Sequence, residues 1–148
     1  MIHKKLFSCF LVSFFSILLI SCSKDPKPIH FGTDNCDYCK MTISDVRFGA
    51  EVVTKQGRIY KFDDVHCLKG FLNDEIVTEE NVYSVWLVDF TGNGKLFNAE
   101  NSFLIHNEEL RSPMGSNIAA FENEKDFKDY QSGYSGTKIK WEDFINSN

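Results

Sequence analysis

The sequence predicts an α+β fold of two similar small halves, each made of antiparallel strands and a helix. Three observations predict it. Short β-rich runs recur along the chain, with glycine-bearing turns between several of them. Isolated helical patterns interrupt those runs. The order strand, strand, helix comes twice, around Asp64 and again around Asn123. Identity between the two halves is too weak to make a sequence repeat.

The elements follow in chain order. Residues 48–54 are small to apolar and end in Lys55-Gln56-Gly57, and Ile59-Tyr60-Lys61-Phe62 comes next, which reads as a hairpin. Asp63 and Asp64 are good helix caps, and Val65, Leu68, Phe71 and Leu72 repeat at helical spacing, predicting a helix over residues 64–73. Residues 82–90 are rich in valine and aromatics. The turn Thr91-Gly92-Asn93-Gly94 leads to a return strand over 95–99. Residues 102–106 and 117–121 are further short strands. Asn123 caps a helix carrying Phe127 and Tyr130, broken by Gly133 and Gly136. Trp141, Phe144 and Ile145 mark a short terminal helix.

Composition bounds the function. The chain has 148 residues, 43% hydrophobic and 25% charged, which suits one packed domain. Lys4 and Lys5 precede an apolar run, residues 6–20, that is short for a membrane span. It reads as a secretory signal over residues 1–21. Leu19-Ile20-Ser21-Cys22 resembles a bacterial lipobox, so Cys22 is the expected lipidation site and new N-terminus. Residues 22–30, polar and carrying Pro26 and Pro28, read as a tether, with compact structure beginning near Phe31. Loss of Lys4 and Lys5 leaves 14 Lys+Arg against 21 Asp+Glu, a net charge near −7. That argues against nucleic acid and leaves membrane attachment to the lipid.

The chemistry centres on Cys36-Asp37-Tyr38-Cys39-Lys40-Met41. Without Cys9 and Cys22 the mature chain keeps three thiols, Cys36, Cys39 and Cys67. An odd number in an exported protein points to a free thiol or a metal ligand. Two thiols and a thioether are soft donors that together select Cu(I); zinc has little use for Met. A plain Cys36–Cys39 disulfide is the rival reading. Met114 lies in the turn Ser112-Pro113-Met114-Gly115, where ligand and packing roles stay equally open. Cys67 reads first as a buried core thiol, with a third sulfur ligand as the sharper alternative. Asp63 and Asp64 read as caps, and His66 and His106 as ordinary polar residues. No phosphate loop, nucleophile elbow or Ser/His/Asp arrangement is present, so no catalytic residue and no enzyme is expected.

Taken together these pieces resemble the NosL family, lipoprotein copper chaperones linked to nitrous oxide reductase. The matching residues are the lipobox at Cys22, Cys36-x-x-Cys39-x-Met41, Phe48-Gly49-Ala50, Tyr60-Lys61-Phe62-Asp63-Asp64 with Cys67, Ser112-Pro113-Met114-Gly115 leading into Ile118-Ala119-Ala120-Phe121, and Trp141-Glu142. The resemblance spans residues 31–148. It implies Cu(I) binding by Cys36, Cys39, Met41 and Met114, with Met114 raised to a favoured ligand. It implies delivery to the periplasmic reductase through a membrane transport complex, with the lipid expected in the outer membrane and the domain facing the periplasm. A periplasmic thiol–disulfide oxidoreductase using Cys36 and Cys39 is the alternative. A shallow sulfur site with few ligands is the expected mechanism.

Overall fold

The computed structural model describes residues 23–147; the predicted signal peptide and Cys22 lie outside them. Among the described residues, seven strands and three α-helices follow one another: β1 (Ala50–Thr54), β2 (Ile59–Phe62), α1 (Val65–Asn73), β3 (Val82–Val88), β4 (Leu96–Asn98), β5 (Phe103–His106), β6 (Ile118–Phe121), α2 (Glu124–Gly133), β7 (Thr137–Ile139) and α3 (Trp141–Asn146). The strands form two sheets of order β2-β1-β3-β4 and β6-β5-β7, with every pairing antiparallel.

The two halves share one topology. In each, the first strand sits between the second and third, and a helix connects those two. The sequence Ile59-Tyr60-Lys61-Phe62-Asp63-Asp64 closes β2 and caps α1, and Ile118-Ala119-Ala120-Phe121-Glu122-Asn123 does the same for β6 and α2. Asp64 and Asn123 both accept a backbone N–H of the helix they open. β4 extends the first sheet only.

Alternation along the strands divides the core. Ala50, Val52, Tyr60 and Phe62 on the first sheet pack with Val65, Cys67, Leu68 and Phe71 of α1. Leu104, Ile118 and Ala120 of the second sheet join that shared core, whereas Ile105, Ala119 and Phe121 face α2 and Phe127. The second sheet is thus covered on both faces, which explains the fully buried run Ile118–Phe121.

Gly133 ends α2 as the sequence predicts, and just after Gly136 the chain forms β7, a strand too short to carry a pattern of its own in the sequence. A Cβ on Gly136 would lie 2.7 Å from the Ile105 side chain, so the missing side chain lets β7 approach β5. Packing also begins before Phe31. Ile29 is buried in the shared core, Lys27 N–H donates to Glu51 at 2.9 Å, and the Pro28 carbonyl accepts from Lys61 Nζ at 2.7 Å. One apolar residue in a polar run leaves no periodic signal, so the sequence alone reads it as tether. Among the described residues no helix is long and apolar enough to cross a membrane.

Candidate metal centre

The cysteine motif folds as a small hairpin. Asn35 bridges Thr42, Cys36 N–H donates to the Met41 carbonyl at 2.8 Å, and Ile43 N–H to that of Asp34 at 2.9 Å. Lys40 makes the turn at φ 67° and donates its N–H to the Cys36 carbonyl at 3.0 Å. Asp37 fastens the hairpin to the free edge of β2. Its N–H donates to the Lys61 carbonyl at 2.8 Å, and its carboxylate accepts the Lys61 N–H at 2.7 Å. Tyr38 lies across α1 at Gly70 and donates its hydroxyl to Asp74 at 3.0 Å. A Cβ on Gly70 would stand 2.7 Å from the Tyr38 ring, so only glycine permits this crossing.

Docked on β2, the hairpin meets the start of α1. The sulfurs of Cys36, Cys39 and Cys67 and a carboxylate oxygen of Asp63 all lie within 4.8 Å of one another. Cys36 and Cys67 are fully buried, Asp63 is buried and Cys39 is half-buried. All three thiols are free. Cys39 Sγ donates to Asp63 Oδ1 at 3.7 Å. Ligands at roughly 2.3 Å from one ion stand about 3.8 Å apart, so modest side-chain rotation closes this cage.

The sulfurs titrate as a group. The Cys67 thiol hydrogen-bonds Cys36 and brings it down to about 6, against the cost of burial, with N–H groups of Asp63, Cys39 and Tyr38 adding support. Cys67 is pushed up because it keeps the proton it donates to Cys36; burial and the negative charge of Cys36 and Asp63 reinforce this. Burial raises Cys39, while the Met41 N–H opposes it. One sulfur is therefore poised to ionise, with the other two protonated, and a bound cation displaces the remaining protons.

Met114 approaches from the second half. Its N–H donates to Asp64 Oδ2 at 2.9 Å, while Asp64 Oδ1 accepts from His66 N at 3.0 Å. The Met114 side chain is half-buried against the core that contains Cys36 and Cys67. Met41 is different: its backbone supports the hairpin, but its side chain is 57% exposed. The centre is also deeper than a shallow site, with Cys39 as its partly open sulfur. His66 is exposed on α1, and His106, the last residue of β5, lies 3.9 Å from the Glu108 carboxylate in the loop that follows. Asp63 is the residue that sequence reasoning passes over as a cap. Its signal is the spacing to Cys67, four residues on, across the start of a helix.

The donor set is three thiols and one carboxylate, and the Met114 side chain packs against the same core. The sulfurs of the set suit a soft monovalent ion, and the whole set has the groups for a tetrahedral divalent ion. The cysteine pair sits in a hairpin turn, unlike a redox pair held at a helix N-terminus.

The crystal structure of the copper chaperone NosL from Shewanella denitrificans matches this fold with a TM-score of 0.66 at 22% identity, covering 81% of this chain and 95% of that one. Among curated proteins none matches the chain. The NosL family model matches residues 28–147, which takes in both sheets, all three helices and every residue of the centre. The chain belongs to the NosL family.

Proposed function

We propose that this protein is a lipid-anchored Cu(I) metallochaperone that supplies copper for maturation of nitrous oxide reductase. The observation that carries the reading is the convergence of Cys36, Cys39 and Cys67 from a hairpin and a helix onto one point. Copper is cargo, held by those sulfurs with Met114 on the side nearest the second half. The thioether adds a soft, uncharged donor that does not deepen the trap. Met41, exposed beside Cys39, offers the first sulfur to an incoming ion and the last to a departing one. A partner's ligand enters at Cys39 before the buried sulfurs let go, so transfer is fast without weak binding. The likeness to the Shewanella denitrificans protein, a copper chaperone, supports this reading.

The lipid on Cys22 confines the protein to a membrane surface, the outer membrane facing the periplasm. Confinement raises its effective concentration near a membrane transport complex that hands over copper and near the reductase. No group in the centre is assigned a catalytic role.

Asp63 favours a second reading, in which the same cage takes a tetrahedral divalent ion such as Zn(II). Anaerobic titration of the reduced mature domain with Cu(I) against a competing chelator, repeated with Zn(II), separates the two. The chaperone reading expects one tightly held Cu(I), with affinity reduced in Cys36→Ser, Cys39→Ser and Met114→Leu. Tight Zn(II) binding with no Cu(I) uptake overturns it.

A further inference from the structure

The segment joining the anchor to the domain is a strap laid across the back of the first sheet. Glu51, Lys61 and Trp86 share that face, since Glu51 opposes Lys61 on β2 and Trp86 on β3. The strap reaches the face at Lys24, whose ammonium lies 4.6 Å from the centre of the Tyr83 ring. It then crosses Glu51 and Lys61 through Lys27 and Pro28, enters the core at Ile29 and runs straight into the cysteine hairpin. The order of the sheet places β3 and β4 on one side of β1 and β2 with the hairpin on the other. The strap therefore enters at one side of the sheet and leaves at the metal centre.

Its entry point has a distinct chemistry. Tyr83 is the extra residue of a bulge in β3 and is 55% exposed. Trp86 is half-buried and donates its indole N–H to Ser84 at 2.9 Å. With Lys24, Asn98 and Glu100 they line an open cleft of about 450 Å³. Amphipathic aromatic rings beside charges of both signs suit the headgroup layer of a bilayer better than its interior. Cys22 stands two residues before Lys24, at most about 7 Å of chain.

We infer that the Tyr83–Trp86 corner of the first sheet rests on the lipid headgroups and turns the metal centre, at the opposite edge of the sheet, away from the membrane. This rests on the proposed lipid attachment at Cys22. A lipid tethered so close to Lys24 holds this corner against the surface, and the strap's bonds to Glu51 and Lys61 stop the domain from swinging free. The occupant is a zwitterionic headgroup surface: Glu100 and Asp25 beside Lys24 disfavour a strongly anionic one.

The test is hydroxyl-radical labelling of the mature lipidated chain on phosphatidylethanolamine–phosphatidylcholine vesicles, against the Cys22→Ser chain with the same vesicles. Tyr134, 57% exposed on the second half, is an internal reference. Labelling of Tyr83 and Trp86 should fall several-fold in the lipidated chain while that of Tyr134 stays unchanged. Unchanged labelling of Tyr83 on floated vesicles overturns the docking surface and leaves the anchor standing. Equal protection of Tyr134, or protection of Tyr83 in the Cys22→Ser chain, also overturns it, the latter as contact between copies. Failure of the chain to float with vesicles overturns the anchor, and this surface with it.

Discussion

The Asp64 carboxylate joins the two halves at the metal centre: one oxygen caps α1 through His66 N and the other accepts the Met114 N–H at 2.9 Å. Asp64 is fully buried, and both of its oxygens are used. A single side chain thus sets the start of the helix bearing Cys67 and the position of the loop bearing Met114.

Asp64→Ala should therefore harm both stability and metal binding. Loss of the cap costs about 1 kcal/mol. The stranded Met114 N–H adds about 1–3 kcal/mol. Urea unfolding of the apo protein should show the sum. Cu(I) affinity should fall as well, since the loop is no longer held to α1. Unchanged affinity would remove Met114 from the proposed ligand set.

Gly70→Ala separates fold from site. Alanine gains about 1 kcal/mol of helix propensity. Its Cβ would meet the Tyr38 ring at 2.7 Å, at a strain cost of about 1–3 kcal/mol. The net change in stability should be small, on the order of 1 kcal/mol. Tyr38 lies between the two hairpin cysteines, however, and its displacement should weaken Cu(I) binding. Tyr38→Phe loses only an exposed hydrogen bond to Asp74 and should keep affinity close to that of the parent.

Glu51 gives the fold a pH dependence. It is fully buried beneath the strap, with Oε2 lacking a partner, and burial pushes its carboxyl up to about 7. The folded state thus holds a proton that the unfolded chain releases near 4.5. Stability is full below about pH 4.5 and is lost as pH rises through 7, by up to about 3 kcal/mol for this group. Glu51→Gln should flatten this part of the profile. Denaturant unfolding of wild type and Glu51→Gln side by side from pH 5 to 8 isolates this group from the opposing contribution of Cys36, whose lowered thiol favours the folded state as pH rises; a stability difference between the two proteins that does not change with pH would contradict the assignment.

Met41 and Cys39 should differ in kind. Met41→Leu removes an exposed thioether, so equilibrium Cu(I) affinity should change by less than about tenfold while transfer to a competing chelator slows. Cys39→Ser removes a member of the cluster and should lower affinity itself. Stopped-flow transfer beside equilibrium competition distinguishes the two effects.

Much of this is legible from the sequence. The hairpin of β1 and β2, the helix after Asp64 and the second strand–strand–helix unit all carry local patterns that tertiary packing leaves intact. β7 and the strap are not legible. Both are held by contacts from far along the chain, β7 by β5 and the strap by Glu51 and Lys61. The thiols are legible as soft ligands from Cys36-x-x-Cys39-x-Met41. The place of Asp63 is hidden because an acid before a helix has a simpler explanation as a cap. Cys67 sits among apolar helix positions and reads as core. It is core and a neighbour of Cys36 at once, and only the docking of the hairpin on β2 brings them together.

In the proposed reading Cys67 completes the copper site. Anaerobic competition of the reduced domain for Cu(I), wild type against Cys67→Ser, decides this, with circular dichroism confirming that both are folded. The expected result is one ion per wild-type chain and at least about a tenfold loss of affinity in Cys67→Ser, since a bound copper then keeps two thiolates where it had three. Equal affinities in the two folded proteins would contradict it.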